Sequence, residues 1–415
     1  MSTPRVLDAA ALFAEVADEL VVRTVRDTHL AWADRVHGAL RRPSYGVSRV
    51  SRVSRVSETV HRGVASGVYA GLGAGLRATS RALGALAERD VGPGLEETGP
   101  GRFVHAAVNG LIGDRLERER PRLAVPLAVR HEGRDVPVRA DALDAAFPGA
   151  TERVVLLMHG LAESESVWER HRARLGATYA DTLADLGWTP VLLRANSGLS
   201  LRDNGVALSA LVRDLVTAWP VPPRRLAMIG HSMGGLVIRA AGAVAVLDEE
   251  PWTDLLGDVV TLGTPHRGAP LASAVGRGAR GLGVWPESAA FGRILDHRSV
   301  GVLDLVLGLG HEVPPLDGVR YHLVSGTLTR SSRHPVGRVL GDVMVRTPSA
   351  YGDSREPGLF PDADRLHVPG AGHLDLLNHP RVHEALRGWL GDPGADKSAV
   401  GEQGPRTRGR AGRSG

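Results

Sequence analysis

The sequence predicts an α/β protein with a doubly wound, mostly parallel β-sheet, a helical N-terminal region and an inserted cap. The main observation is that short apolar segments alternate with helical segments from residue 154 to residue 390, as in chains of βαβ units. A second is that residues 154–158 are all apolar, which is typical of a strand covered by helices on both faces. A third is that the span 268–317 interrupts the alternation, which indicates an insertion over the carboxyl ends of the strands.

The strands and helices of this sheet are expected in a regular order. Two short strands surround a turn at Gly133, and the remaining strands follow it. The expected strands are 125–130, 136–138, 154–158, 190–194, 225–229, 258–262, 320–325 and 365–368. Helices are expected at 163–186, at 204–218, directly after Ser232 and at 380–390.

Residues 5–90 are expected to be helical, because apolar and acidic positions recur there at helix spacing. A Ser-Arg-Val repeat at 48–56 has a period that does not match the helical turn. Two interpretations of the repeat stay open: a solvated expansion, or a basic strip that contacts anionic lipid or a partner. The Gly- and Ala-rich stretch 64–86 is expected to pack against the α/β domain, with a membrane face as the alternative.

Composition divides the chain into three parts. Residues 1–100 form the helical N-terminal region, and the Gly- and Pro-rich residues 90–101 are expected to be a linker. Residues 120–391 form the α/β domain, with the cap at about 268–317. Residues 392–415 are expected to be a disordered basic tail, because they contain almost nothing apolar.

Charge and cysteine content exclude several function classes. The net charge is +4 and basic residues are interleaved with acidic ones, so no nucleic-acid partner is expected. The absence of cysteine excludes disulfides and a thiol nucleophile. Neither a secretory signal nor a spanning helix is expected, because no apolar stretch is long enough. The expected location is the cytoplasm, with membrane association left open.

The segment Gly-His-Ser-Met-Gly-Gly at 230–235 contains the candidate nucleophile Ser232. The Gly-x-Ser-x-Gly pattern alone is close to chance in a chain with 52 glycines among 415 residues. Its context carries the interpretation, because an apolar strand precedes it and an apolar helix follows it. A side chain at Gly230 or Gly234 would collide with the neighbouring helix or strand in so sharp a turn.

A serine hydroxyl needs a base to accept its proton and a carboxylate to orient that base. The strand order places the base after the last strand, where His373 follows a Gly-rich loop. His379 precedes a proline at a helix start, and His367 lies inside a strand, so both are interpreted as structural.

The candidate acid is Asp342, which follows the strand at 320–325. Asp353 is the second choice for this role. Asp362 and Asp364 are interpreted as surface residues. The resulting order of nucleophile, acid and base along the chain differs from the orders in chymotrypsin and subtilisin.

Two backbone N–H groups are expected to bind the oxyanion of the transition state. One belongs to Met233, directly after the nucleophile. The other belongs to Leu161, where Gly160 lets the backbone turn its N–H group toward the site.

Five segments of the sequence together resemble the α/β-hydrolase lipases and esterases. They are Met-His-Gly-Leu at 158–161, Gly-His-Ser-Met-Gly-Gly at 230–235, Leu-Gly-Thr-Pro-His-Arg-Gly at 262–268, Gly-Asp-Val-Met-Val at 341–345 and Gly-His at 372–373. The third segment is similar to that of bacterial triacylglycerol lipases and of lipases related to the GPI inositol-deacylases. The resemblance covers about residues 125–390, and Val343 stands where these lipases usually carry glycine.

The resemblance implies hydrolysis of a carboxylic ester through an acyl-enzyme, without a cofactor. The expected substrate is a small-molecule or lipid ester with an apolar acyl group, and the cap is expected to set the acyl preference. No metal is expected, although Asp375 and Asp362 are the candidate ligands for the structural calcium that some such lipases bind. An amidase, thioesterase or acyltransferase on the same fold is an alternative. A non-catalytic scaffold, or a membrane-associated protein that acts through its N-terminal helices, is another.

Overall fold

The computed structural model describes residues 4–16, 26, 48–89, 91–245, 251–269, 299–309, 313–330, 341–342, 344–353 and 358–391. The expected tail at 392–415 and most of the expected cap lie outside these residues. No helix within the described ranges is long and apolar enough to cross a bilayer.

Eight strands form one sheet, as the sequence predicts. The strands are β1 (Ala128–His131), β2 (Arg134–Val136), β3 (Arg153–Met158), β4 (Thr189–Arg194), β5 (Arg225–His231), β6 (Leu256–Leu262), β7 (Arg320–Thr327) and β8 (Asp364–Pro369). Their order across the sheet is β2-β1-β4-β3-β5-β6-β7-β8. β1 is antiparallel to both of its neighbours, and every other pairing is parallel.

Helices cover both faces of this sheet. The α-helices are α1 (Val6–Val16), α2 (Ser48–Ala87), α3 (Gly99–Glu119), α4 (Ala140–Ala146), α5 (Arg172–Leu175), α6 (Tyr179–Asp185), α7 (Leu201–Ala218), α8 (Met233–Ala245), α9 (Val300–Leu307), α10 (Thr347–Ala350) and α11 (Pro380–Leu390). Short 3-10 helices lie at Leu95–Glu97, Glu165–Glu169, Trp252–Asp254 and His373–Leu376.

The alternation of side chains along β3 divides the core in two. Leu156 points into a cluster with Leu208 of α7 and Leu236 of α8. Leu157 points to the opposite face, into a cluster with Leu386 of α11. Because both faces are buried, β3 is apolar throughout, which is why the sequence predicts a central strand.

Register brings the carboxyl ends of the central strands to one edge. Met158 of β3 pairs with Gly230 of β5, and His231 pairs with Leu262 of β6. Loops that leave these ends lie next to one another, so this edge is where a doubly wound sheet places a ligand.

The helix expected at 163–186 is wrong as a single element. The structure contains a 3-10 turn, α5 and α6 in its place. His171 has a φ of +66° and Gly176 a φ of +80°, and each left-handed residue ends the preceding turn.

The linker expected at 90–101 is also wrong. Leu95 is buried, and α3 begins at Gly99 behind Thr98, whose side chain accepts the N–H of Gly101. A Thr cap followed by Pro100 is a helix-start signal. Gly92 and Gly94 therefore precede the helix, Gly99 and Gly101 lie in its first turn, and the segment is not a free connection.

The long helix α2 packs along α1. Val64, Val68 and Leu72 are each more than half exposed. The positions that a Cβ would take at Gly71 and Gly75 have no neighbouring atom within 4 Å. At these five positions of α2 the expected packing against the α/β domain is absent.

Candidate active site

Ser232 lies in a sharp, strained turn between β5 and α8. Its φ is +52°, a left-handed conformation that a serine adopts at a cost of order 1–3 kcal/mol. A Cβ at Gly230 would lie 2.4 Å from the Gly235 nitrogen, and one at Gly234 would lie 2.4 Å from the Met158 carbonyl oxygen. The predicted need for glycine at both positions is confirmed.

The loop after β3 crosses directly over this serine. A Cβ at Gly160 would lie 2.8 Å from the Ser232 Cβ, so only glycine permits the approach. The Ser232 N–H donates to the Leu262 carbonyl at 2.8 Å, which ties the turn to the end of β6. The serine is therefore enclosed by the ends of three strands.

His373 and Asp342 form a buried acid–base pair. The distance from His373 Nδ1 to Asp342 Oδ2 is 2.8 Å. Asp342 Oδ1 accepts the N–H groups of Met344 at 3.0 Å and of Val345 at 2.7 Å. Since a carboxylate only accepts hydrogen bonds, the Nδ1 atom carries a proton and the Nε2 atom is left to accept one.

His373 and Ser232 both lie at the end of β6. Within the described ranges, His373 Nε2 is buried and makes no hydrogen bond, so it is not bonded to the Ser232 hydroxyl. A Cβ at Gly263 would lie 3.1 Å from the His373 ring, and Gly263 follows Leu262, to which Ser232 is bonded. Ser232 thus lies against Leu262, and His373 lies against the next residue of the chain, Gly263.

The rival histidines have structural partners. His367 Nε2 lies 2.8 Å from the Thr327 hydroxyl, inside the sheet. His379 caps α11, where its Nδ1 accepts the N–H of Arg381. Neither ring belongs to the cluster around Ser232.

The rival acids also lie elsewhere. Asp353 pairs with Arg365 at 2.9 Å, and Asp364 lies 2.9 Å from the His322 ring. Asp362 is exposed. Asp342 is thus the carboxylate that the structure places beside His373.

The peptide between Gly160 and Leu161 has a fixed orientation. His159 Nε2 accepts the Ala195 N–H at 3.0 Å, so its Nδ1 donates to the Gly160 carbonyl at 2.9 Å. Burial lowers the pKa of His159, which keeps the ring neutral. Because C=O and N–H point in opposite directions across a trans peptide, the Leu161 N–H points away from His159.

The N–H groups on either side of Leu161 are already bonded. Gly160 donates to Glu163 Oε2 at 2.7 Å, and Ala162 donates to the Ser197 hydroxyl at 2.9 Å. Within the described part of the chain the Leu161 N–H has no acceptor. It therefore remains available as a donor.

Met233 is the first residue of α8, where N–H groups have no intrahelical acceptor. It directly follows Ser232 in the turn. Its N–H group and that of Leu161 come from the two loops that enclose the serine, as the sequence predicts for an oxyanion site.

Sequence reasoning missed a buried ion pair beside the nucleophile. Glu163 Oε2 lies 2.9 Å from Nδ1 of His231, whose ring is fully buried. Burial raises the pKa of Glu163. The charge and hydrogen bond of His231 and the Gly160 N–H together have the larger, opposite effect and lower the pKa to about 2. Burial lowers the pKa of His231, but the charge and hydrogen bond of Glu163, together with the His373 carbonyl and the Asp342 charge, raise it above its ordinary value. The sequence signal for this pair was the histidine at position 231, directly before Ser232 in the Gly-His-Ser-Met-Gly-Gly segment.

Sequence reasoning also missed the contact between α3 and the site. A Cβ at Gly110 would lie 2.6 Å from Ala162 Cα, and the Asn196 amide donates to the Gly113 carbonyl at 3.0 Å. The Gly-x-x-Gly spacing was the available signal, since two small residues one turn apart permit close packing. Helix α3 therefore supports the loop that contains Leu161.

The candidate calcium ligands do not lie together in an ion site. Asp375 accepts the Gly372 N–H at 2.9 Å, and Asp362 is exposed. The described residues contain no group of three or more metal-ligating side chains that could hold an ion.

The strand order, the strained serine after β5 and the acid–base pair after β7 and β8 define an α/β-hydrolase fold. Residues 192–276, which include Ser232, match the family model of the PGAP1-like alpha/beta domain. The chain is thus similar to α/β-hydrolases of the lipase and esterase type.

Two solved structures illustrate this similarity. A lipase of Bacillus licheniformis in its mature form is 18% identical with a TM-score of 0.40, over 64% of this chain and 96% of that one. An esterase of Pyrococcus furiosus is 18% identical with a TM-score of 0.35, over 59% of this chain and 83% of that one. Both likenesses are remote, so the fold assignment rests on strand order and site geometry.

Proposed function

We propose that this protein hydrolyses carboxylic esters through a Ser232–His373–Asp342 triad and an acyl-enzyme. The observation that carries the proposal is the His373 ring, whose Nδ1 lies 2.8 Å from the buried Asp342 carboxylate and whose buried Nε2 is unpartnered among the described residues. This ring lies against the end of β6, to which the strained serine is bonded. Leaving a buried imidazole nitrogen without a hydrogen-bond partner costs free energy, and such an atom calls for an explanation such as a role in catalysis. The proton of Ser232 supplies that partner when the ester binds.

In the first half-reaction, Ser232 Oγ attacks the ester carbonyl carbon while His373 Nε2 takes its proton. The carbonyl oxygen becomes an oxyanion that accepts the N–H groups of Leu161 and Met233. The C–O bond to the alcohol then breaks, and the alkoxide leaves with the proton from His373. Asp342 stabilises the imidazolium throughout, without taking its proton.

In the second half-reaction, water replaces the alcohol. His373 Nε2 takes a proton from the water, and the resulting hydroxide attacks the acyl carbon. The ester bond to Ser232 breaks, and the serine oxygen regains a proton from His373. The products are a carboxylic acid and the free enzyme.

Apolar side chains beside the triad loops favour an apolar acyl group. Met344, Leu328 and Leu374 are between about a third and a half exposed. Leu374 follows His373, Met344 lies two residues after Asp342, and the N–H of Leu328 donates to the Gly341 carbonyl. Exposed apolar groups around a polar reaction centre are typical of a binding site for an apolar ligand.

Replacing Ser232 with alanine tests the proposal. The Ser232→Ala variant is expected to lose hydrolysis of p-nitrophenyl butyrate by a factor of at least about 10³, because no nucleophile remains. Its melting temperature should not fall, because removal of the hydroxyl leaves the turn intact. A variant that retains full activity would contradict the mechanism. Thioester and amide substrates of the same acyl group, with alcohol as an alternative acceptor, separate an esterase from a thioesterase, amidase or acyltransferase.

We further propose that α2 makes peripheral contact with an anionic membrane from the cytoplasmic side. The support is the exposed apolar row of Val64, Val68 and Leu72 on a helix whose sequence contains six arginines and one glutamate. Co-sedimentation of the protein with anionic and with neutral vesicles tests this contact.

A further inference from the structure

A buried chain of hydrogen bonds connects the three loops that form the site. It begins at the Gly160 N–H, which donates to Glu163 at 2.7 Å. Glu163 lies 2.9 Å from His231 Nδ1, and His231 Nε2 lies 3.3 Å from the His373 carbonyl oxygen. The chain thus joins the loop after β3, the nucleophile turn and the loop that holds the catalytic base.

Both nitrogens of the His231 ring have an acceptor as partner. One faces a carboxylate and the other faces a carbonyl, which only accepts hydrogen bonds. The arrangement fits an imidazolium that donates from both nitrogens. A buried imidazolium beside this largely buried carboxylate forms a neutral pair, so the oxyanion site does not face the uncompensated negative charge of Glu163.

Steric limits make the position of this pair critical. A Cβ at Gly160 would lie 2.8 Å from Ser232 Cβ and 3.0 Å from Glu163 Oε2. The loop therefore fits between the serine and the carboxylate with no room to shift. A displacement of about 1 Å in a catalytic group is enough to lower a rate strongly.

We propose that Glu163 and His231 act together as positioning residues, and that their ion pair holds the Leu161 N–H in its oxyanion-binding orientation. The inference rests on the proposed function, because it assigns the pair to the same reaction. Neither side chain touches the reacting atoms. Glu163 acts through the Gly160 N–H, and His231 acts through Glu163 and the His373 main chain.

Glu163→Gln is the direct test, and Glu165→Gln is its matched control. Glu165 lies in the same loop and is buried, but it pairs with Arg130 at 2.9 Å. In Glu163→Gln the amide keeps the shape of the side chain but loses the charge and offers an NH2 group where His231 also donates. We expect kcat for p-nitrophenyl butyrate to fall about 10- to 100-fold. This decrease is smaller than the one expected when an oxyanion donor is removed altogether.

The split between kcat and KM separates positioning from general stability. The KM of Glu163→Gln should stay within about threefold of wild type, because the acyl-binding surface is unchanged. The kcat of Glu165→Gln, measured per active site titrated with a fluorophosphonate, should stay within about twofold. If Glu163→Gln loses no more kcat than Glu165→Gln, the proposal is overturned.

A double-mutant cycle tests whether the two residues act as a unit. His231→Asn should lower kcat to a similar extent, and the double variant should lose little more than either single one. Additive losses would overturn the proposal. His231→Asn also gives an independent measurement if Glu163→Gln does not fold.

The proposed function and this inference fail in different ways. If wild type neither hydrolyses the ester nor reacts with the fluorophosphonate at Ser232, the proposed function fails and this inference fails with it. If wild type is active, Ser232→Ala is inactive and Glu163→Gln equals wild type, only the positioning role is overturned.

Discussion

Helices α2 and α3 are both glycine-rich and both precede the sheet in the chain, but their glycines have opposite surroundings. Cβ positions at Gly71 and Gly75 of α2 face open space, whereas one at Gly110 of α3 would lie 2.6 Å from Ala162 Cα. Helix α3 therefore packs at backbone distance against the loop of the candidate oxyanion site. The domain start predicted from composition at residue 120 therefore leaves α3 outside the domain with which it packs.

The segment before α3 is fixed to the sheet by buried charges. Glu96 contacts Arg194 of β4 and lies 3.0 Å from the His105 ring of α3. Burial raises the pKa of Glu96, but its contacts with His105 and Arg194 lower it to about 2.

The largest expected effect is the acid sensitivity of the Glu96 contact. The folded pKa of about 2 lies below the ordinary value of 4.5, so the carboxylate stabilises the fold above pH 4.5 and loses this contribution as the pH falls toward 2. The contribution is at most about 3 kcal/mol. We expect the free energy of unfolding to fall less between pH 5 and pH 3 in Glu96→Gln than in wild type, as measured by urea titration. Equal pH slopes for the two proteins would contradict this role.

A smaller effect is expected from alanine at the close contact of α3. Gly110→Ala should lower the free energy of unfolding by about 1–3 kcal/mol, because its Cβ overlaps the backbone of the Ala162 loop. It should also lower kcat, because this loop holds Leu161. Gly71→Ala is the matched control and should raise the free energy of unfolding by about 0.5–1 kcal/mol, since alanine favours an exposed helix. Changes of the same sign in the two variants would remove the distinction between the helices.

The smallest effect on stability is expected on the exposed row of α2. Val68→Ser should change the free energy of unfolding by no more than about 0.5 kcal/mol, because the side chain is already exposed. If α2 contacts membranes, the same variant should bind anionic vesicles more weakly than wild type. Stability loss without a change in vesicle binding would indicate that Val68 is covered by protein.

The central strand, the nucleophile turn and the loops of the acid and base could be predicted from the sequence, because local sequence patterns and strand order determine them. The apolar run of β3 and the glycines around Ser232 are dictated by burial on both faces and by a strained turn. His373 and Asp342 could be placed because strand order fixes which loops meet at the sheet edge. Their pairing at 2.8 Å agrees with that prediction.

The features that could not be predicted depend on contacts between distant residues. The spacing of Gly110 and Gly113 indicates a close approach, but only the fold shows that Ala162 lies against Gly110. Glu163 and His231 are 68 positions apart, and neither has a pattern that indicates the other. The break at His171 arises from a left-handed residue that no local motif marks.

Acylation of Ser232 is the step on which the proposed function depends, and mass spectrometry of the trapped protein measures it. Wild type would be mixed with p-nitrophenyl butyrate, quenched in acid within the first turnover and digested. We expect a butyryl group on the peptide that contains Ser232, with less adduct in His373→Ala and none in Ser232→Ala. Turnover of the ester with the adduct on another residue, or with none on any residue under conditions that trap the intermediate, would contradict the account.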